Sequence, residues 1–297
     1  MNKLIAVVGT NASGKSHVSV ELALRFGGEI VSADSRQVYR GLDLGSGKIP
    51  AEEMKGIPHH LLDVREPGEF FSMADFQSLA YDAIDGILSR GNVPFLVGGT
   101  GLYVDSVTKG YLLSDREPDL SYRAELEKLS TPELYEMLLR VLPDIEIDGK
   151  NRNRVMRVLE KIHDGDSAVP SACPRYDVLT LGVSWDRETL KKRIDERLTR
   201  RAAQGMIDEV QSLRESGVSD EFLLKLGLEY RYITEYLTGV WKDEDEMLSE
   251  LSLAIKRFAK RQMTWFKKDQ SIKWLSMQDD PVEEACGYIR EFLEVTR

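Results

Sequence analysis

The sequence predicts an α/β fold: a parallel sheet with an anion-binding loop at its first turn, interrupted by a helical insertion and closed by a helical C-terminal region. Three observations predict it. The stretch Gly9–Thr10–Asn11–Ala12–Ser13–Gly14–Lys15–Ser16 fits G-x-x-x-x-G-K-[ST], between a β-branched apolar run at residues 3–8 and a segment with Val18, Leu22 and Phe26 at helical spacing. Short apolar runs alternate with helical patterns as far as residue 109, and another such run follows at 177–183. Between residues 110 and 176, strand patterns give way to helical ones.

A strand that feeds a helix through a glycine-rich loop turns backbone amides and the positive helix end toward one point, which suits phosphate oxygens. Lys15 would reach over them, and Ser16 is placed to ligate a Mg2+ that phosphate itself holds. This is the opening of a P-loop kinase-like sheet. Residues 29–32 make the second strand and end in Ala33–Asp34–Ser35–Arg36–Gln37, polar groups over the carboxyl edge of the sheet, where such folds bind ligands. The alternative reading, Asp34 as the N-cap of a helix starting at Ser35, is compatible with a place in the site. Residues 42–56 read as loop, and 59–64 as a strand or edge segment. The paired His59 and His60 would point to opposite faces of an extended segment without accompanying ligands, which argues against a dedicated zinc site.

Pro67–Gly68 is a turn, and Ser72 caps a helix to about Ser89 with Phe76, Ala80, Ile84 and Leu88 on its buried side. The strand at 93–97 runs into Gly98–Gly99–Thr100–Gly101, where missing side chains let backbone and the Thr100 hydroxyl approach an anion. The insertion holds helical patterns at 120–129, at 131–142 with a Thr131 cap and Pro132, and at 151–162. After the returning strand at 177–183, residues 187–204 put Leu190, Ile194, Leu198 and Ala202 in one row and Arg193, Arg197 and Arg201 in the next. An arginine row at that boundary could reach an active-site phosphate. Helices follow from Ile207, Asp220, Arg231 and Glu244, then an edge strand at 272–275 and a closing helix at 282–295.

With 297 residues, 42% of them apolar and 30% charged, the chain can bury a sizeable core. It shows no leader and no run of 18 apolar residues, so a cytoplasmic protein away from membranes is expected. Cys173 and Cys286 are too few for a disulfide scaffold. The net charge of -10 would disfavour a nucleic-acid partner, but its distribution does not. Residues 256–268 carry Lys256, Arg257, Lys260, Arg261, Lys267 and Lys268 with no acid, interleaved with Phe258, Trp265 and Phe266. Such a mixture can hold a phosphate backbone and stack on a base.

Several stretches together resemble the tRNA dimethylallyltransferase family, also called tRNA isopentenyltransferase. They are Gly9–Ser16, Asp34–Ser35–Arg36–Gln37–Val38–Tyr39, Pro58–His59–His60–Leu61–Leu62–Asp63, Gly98–Gly99–Thr100–Gly101, Asn151–Arg152 and Lys260–Arg261–Gln262–Met263–Thr264–Trp265. The resemblance implies transfer of a dimethylallyl group from its diphosphate to N6 of the adenosine 3′ of the anticodon, in tRNAs reading U-starting codons. It implies Asp34 as general base with Ser35 beside it, and Thr100 and Arg197 as further catalytic groups. Thr10, Asn11, Ala12, Ser13, Gly14, Lys15 and Ser16 would hold the diphosphate, with Mg2+ on Ser16. Asp34, Ser35, Arg36, Gln37, Arg123, Lys260 and Arg261 would contact the anticodon stem-loop, which the insertion 110–176 would clasp. The catalytic core would be residues 1–109 with 177–297, acting as a monomer.

The chain departs from the family pattern in places. Asn11 stands where many members have Pro, Gly45–Ser46–Gly47–Lys48 where Gly-Thr-Ala-Lys is usual, and Glu229 where a Gly usually precedes Tyr230–Arg231. Two other readings use the same residues. A small-molecule kinase would need the phosphate loop, Mg2+ and an Asp base, but would leave the basic C-terminal segment without a task. A non-catalytic RNA-binding switch would leave Asp34 and Ser35 idle.

Overall fold

The structure, a computed structural model, describes residues 1–113, 119–165 and 172–294. The first half runs β1 (Asn2–Gly9), α1 (Lys15–Phe26), β2 (Gly28–Ser32), α2 (Ala51–Met54), β3 (His59–His60), α3 (Met73–Ser89), β4 (Val93–Gly98) and α4 (Gly101–Thr108). Next come α5 (Leu120–Glu127), α6 (Thr131–Val141) and α7 (Arg152–His163). The chain ends with β5 (Tyr176–Ser184), α8 (Arg187–Ala203), α9 (Met206–Glu215), α10 (Asp220–Leu226), α11 (Leu228–Leu237), α12 (Glu244–Phe266), β6 (Lys273–Ser276) and α13 (Pro281–Glu294).

The six strands form one parallel sheet in the order β3-β2-β4-β1-β5-β6, so the α/β expectation holds. Leu4 to Val8 are wholly buried in β1, which pairs β4 (Ile5 with Phe95) and β5 (Ile5 with Leu179). A strand covered on both faces needs such a continuous apolar run. One face packs on α3 and α4 through Phe76, Ile84, Tyr103 and Val107, the other on α1 and α13 through Val18, Leu22, Cys286 and Ile289. A third cluster joins Val38 and Leu42 to Ile194, Val210, Tyr230, Leu251 and Ile255, so the helices α8 to α12 share a core with the loop after β2. Because the strands are parallel, the loops after Gly9, Ser32 and Gly98 emerge at one edge.

Residues 1–109 and 174–297 form one compact unit, and 110–173 another, three residues short of the expected 176. The smaller unit has its own core of Leu126, Leu134, Leu138, Val155, Met156 and Leu159. Its base is closed by Cys173 N–H donating to Gly110 O at 2.7 Å, beside an antiparallel bridge from Tyr111 to Ala172.

Several local expectations need correction. The cap of α6 is Ser130, not Thr131, in a reciprocal box with Glu133. Residues 35–38 form a turn and no helix, so Asp34 caps none there; its Oδ1 instead accepts from Arg36 N–H at 2.9 Å, the short-range bond an Asp makes in a turn. The segment 59–64 is strand only at His59–His60, because Leu61 (φ 64°) and Asp63 (φ 56°) turn left-handed and break the ladder. α4 and the short α2 carry no strong start signal in the sequence, and α11 begins at Leu228 rather than Arg231. Val295, in the expected closing helix, lies outside the described residues.

Candidate active site

The Gly9–Ser16 loop crosses from β1 to α1 with left-handed backbone at Ala12 (φ 60°) and at Gly14 (φ 92°), the residue capping α1. At Ala12 the conformation costs on the order of 1 kcal/mol. The Asn11 side chain offsets part of that cost, its Oδ1 accepting from Ala12 N–H at 2.9 Å. Two further clamps come from α8 and the residue before its cap: Trp185 Nε1 donates to Ser13 O (3.0 Å) and Arg193 Nε to Ala12 O (3.1 Å), with Arg193 stacked over Trp185. The Ser13 hydroxyl is buried and has no partner among the described residues.

The cations converge on this loop. Arg197 donates from Nη1 to Asn11 Oδ1 (3.0 Å) and from Nη2 to Gly47 O (3.1 Å). Gly47 has φ 65°, and a Cβ there would collide with Arg197 Nη2, so the glycine of the 45–48 loop makes room for the guanidinium. Lys15 Nζ donates to Thr10 O at 3.4 Å. Burial first, and then Arg197, push its ammonium down to about 8, while Asp34 pulls the other way. Burial and Arg201 likewise lower Arg197, to about 10, which leaves it charged at neutral pH. Cations held at such cost favour an anion between them.

Two cavities meet here. The larger, about 690 Å³, is lined by residues 12–17, Lys48, Arg193, Arg197, Arg200 and Arg201. The smaller, about 50 Å³, is lined by Asn11, Lys15, Ser16, Asp34, Gln37, Gly98 and Arg197. Asp34 therefore shares a cavity with the two cations of the cradle. Ser35 N–H points at Thr100 Oγ1 (3.4 Å), which joins the loops after β2 and β4. Gln37 Oε1 accepts from Ser32 Oγ (3.0 Å) and its Nε2 donates to Gly47 O (3.4 Å). Arg36 Nε donates to Leu226 O (2.9 Å), and its guanidinium lies over Phe258, as does that of Arg261.

The long helix α12 contributes differently along its length. Lys260 and Arg261 are exposed, as an RNA-facing role needs. Lys256 is not free: it pairs with Asp195 of α8 at 2.7 Å, an acid that reading residues 256–268 alone does not take into account. Trp265 covers Gly101 and donates from Nε1 to Asp105 Oδ2 (3.1 Å). Within the smaller unit, Arg123 pairs with Glu127 (3.5 Å) and with buried Glu160 (3.4 Å). His60 pairs with Glu29 (2.7 Å), which Arg90 and Asn92 also hold, so the histidine pair is built into the sheet edge.

The family comparison decides what these parts belong to. The family model for IPP transferase matches residues 37–269. The chain belongs to the IPP transferase family. A tRNA dimethylallyltransferase 2 of Shewanella sediminis is 43% identical over 296 residues, covering 97% of this chain and 98% of that protein. A tRNA dimethylallyltransferase of Anoxybacillus flavithermus is 40% identical over 302 residues, covering 98% and 96%. Among solved structures, the tRNA isopentenylpyrophosphate transferase of Bacillus halodurans superposes with a TM-score of 0.77 at 38% identity, over 99% of this chain and 97% of that one. A eukaryotic dimethylallyltransferase acting on tRNA gives 0.85 at 25% identity, over 100% and 80%. The chain is thus a prenyltransferase enzyme, as its resemblance implied.

Two residues that support the site were not singled out from the sequence. Gln262 is buried between the two anion loops, with Oε1 accepting from Asn11 N–H (2.8 Å) and Nε2 donating to Gly99 O (2.9 Å). The stretch 256–268 around it, with its six basic residues, gave a signal, but one that reads as a surface. Glu209 accepts from the amides of Asp43, Leu44 and Gly45 and from the Tyr230 hydroxyl, and so fixes the loop that carries Gly47. Nothing in the sequence connects Glu209 with residues 43–45. Among the described residues no helix is long and apolar enough to cross a membrane.

Proposed function

We propose that the chain transfers a dimethylallyl group from dimethylallyl diphosphate to N6 of the adenosine 3′ of the anticodon, in tRNAs reading U-starting codons, and releases diphosphate. The observation that carries this reading is the sharing of one small cavity by Asp34, Lys15 and Arg197. A kinase cradle needs the cations. Activating an exocyclic amine needs the carboxylate beside them, as a kinase would, and the exposed Lys260 and Arg261 favour an RNA acceptor over the small molecule of a kinase.

In this reading the loop amides of residues 10–16, Lys15 and Arg197 hold the diphosphate. As the carbon–oxygen bond breaks, charge grows on the leaving oxygen, and fixed donors stabilise it more in the transition state than before it. The same carbon bonds N6, and Asp34 takes the N6 proton through the carboxylate lone pairs that Arg36 N–H leaves free. Thr100 accepts from Ser35 N–H, so its own hydroxyl proton is available to the substrate. Ser16 is exposed at the start of α1 and borders both cavities, the smaller of which has Asp34 as its one lining carboxylate. That sparse oxygen set suits Mg2+, which takes most ligands from phosphate and water. Bound there, Mg2+ would neutralise diphosphate charge.

An anticodon-loop purine must leave its stack to enter such a pocket, which favours a single-stranded loop. Lys260 and Arg261 with Phe258 and Trp265 would take the backbone, Arg36 and Gln37 the flanking nucleotides, and the insertion with Arg123 the loop. We place the reaction in the cytoplasm and assign it to a monomer. The test is incubation of an unmodified anticodon stem-loop with dimethylallyl diphosphate and Mg2+, followed by nucleoside mass analysis. One dimethylallyl group on the adenosine 3′ of the anticodon is expected. Transfer of the γ-phosphate of ATP to an acceptor, without prenyl transfer, overturns the reading.

A further inference from the structure

Arg201 lies one helical turn beyond Arg197 on α8 and lines the larger cavity, yet its side chain is 8% exposed. Its acceptor among the described residues is Glu229, at 3.4 Å from Nη1, on a side chain 7% exposed. Nε and Nη2 are covered and have no acceptor among the described residues. The position of a Cβ on Gly47 lies 3.6 Å from Arg201 Cζ, and the same position collides with Arg197 Nη2, so both guanidiniums pack on one glycine. Two like charges in one buried corner, with one carboxylate at the limit of hydrogen bonding, are costly to maintain. A purely structural Arg–Glu pair would satisfy the fork of the guanidinium with two parallel bonds. This pair leaves two of its nitrogens idle on the wall of the cradle.

We propose that Arg201 is a further binding residue for the donor's diphosphate, reached by rotation of its terminal torsions, and that Glu229 is the positioning residue that holds it otherwise. Phosphate oxygens entering beside Gly47 supply the acceptors that the guanidinium lacks. Glu229 stands where the family pattern usually has a glycine, so the buried carboxylate beside Arg201 is a departure of this chain. The inference rests on the diphosphate reading of the cavity.

The probe is inorganic diphosphate with Mg2+, titrated calorimetrically into the full chain. Arg201→Met alone would leave Glu229 buried and unpaired, so the informative variant is Arg201→Met with Glu229→Gln, checked for folding by its melting curve. It should bind diphosphate about tenfold more weakly, the loss of one charged hydrogen bond, with anticodon stem-loop affinity unchanged. Glu229→Gln alone, which keeps the guanidinium and removes its counter-charge, should bind diphosphate at least as tightly as the parent. A folded double variant with unchanged diphosphate affinity, or a Glu229→Gln variant that loses affinity as the double variant does, overturns the role of Arg201. If the parent chain binds no diphosphate, it is the reading of the cavity itself that fails.

Discussion

Asp34 reaches the cradle through a turn rather than a helix, and its chemistry depends on that difference. One carboxylate oxygen is tied to Arg36 N–H, which fixes the group's direction and leaves lone pairs for the amine proposed to enter. Asp34→Ala should therefore cut single-turnover prenyl transfer by about 100-fold or more while stem-loop affinity stays within a few-fold; an unchanged rate would assign the base elsewhere. Lys15 supplies a second test at this scale. Its ammonium is lowered to about 8 and a bound anion would raise it again, so it is charged below that pH and neutral above. Diphosphate affinity should fall as pH rises from 7 to 9.5, with proton uptake on binding in that window. A flat affinity across the range would remove Lys15 from the cradle. The type of residue was legible here: Lys15, Asp34 and Thr100 stand in motifs whose spacing announces a phosphate loop and its neighbours. Their environment was not, because Asn11 meets Arg197 across 186 positions, a pairing that tertiary packing alone creates.

At the scale of elements, α12 links what the sequence kept apart. Its exposed side carries Lys260 and Arg261 and its buried side carries Gln262, so one helix spans the surface proposed to face RNA and the clamp between the loops at Asn11 and Gly99. Replacing Lys260 with Ala should weaken stem-loop binding and lower its salt slope by about one unit, leaving the rate of bound substrate unchanged. The measurement is affinity across a salt series, and an unaltered slope would remove Lys260 from the interface. Gln262→Leu strips partners from Asn11 N–H and Gly99 O, which should cost about 1–3 kcal/mol of stability in denaturant unfolding and slow transfer at saturating stem-loop. The sheet edge has its own pH signature. Arg90 first, with Asn92 and His60, holds Glu29 down to about 2 against its burial, so this carboxylate stabilises the fold fully above about 4.5 and loses that contribution as pH falls toward 2. Glu29→Gln should flatten stability over that range. Periodicity made the buried strands and the long helices legible. It passed over α4, whose start lies in the glycine run expected to serve as an anion loop, and it overran β3, which is short because left-handed residues follow it.

The whole molecule is a sheet-based unit with a second unit inserted after α4 and left again before β5. The loss of strand pattern after residue 109 made that division legible, since a helical segment with its own apolar faces can bury them without the sheet. The return point was read three residues late because Cys173 closes the base of the insertion by bonding Gly110, a contact between residues 63 apart that no local pattern encodes. The contact has a use. Chain entry and exit lie side by side, so residues 110–173 can be replaced by a short glycine–serine linker without stretching Lys109 or Pro174. The six-stranded sheet, its two flanking layers and the cradle residues from Gly9 to Gln262 all lie in the remaining unit. The deletion variant should therefore fold, shown by a cooperative melt, and bind diphosphate with Mg2+ within a few-fold of the parent. It should transfer a dimethylallyl group to the stem-loop at least 100-fold more slowly at equal concentration, if the insertion clasps the loop as proposed. Parallel calorimetry and single-turnover assays separate the two outcomes: retained transfer would move loop recognition onto α12 and the 34–37 segment, and lost diphosphate binding in a folded variant would show that the cradle depends on the inserted unit.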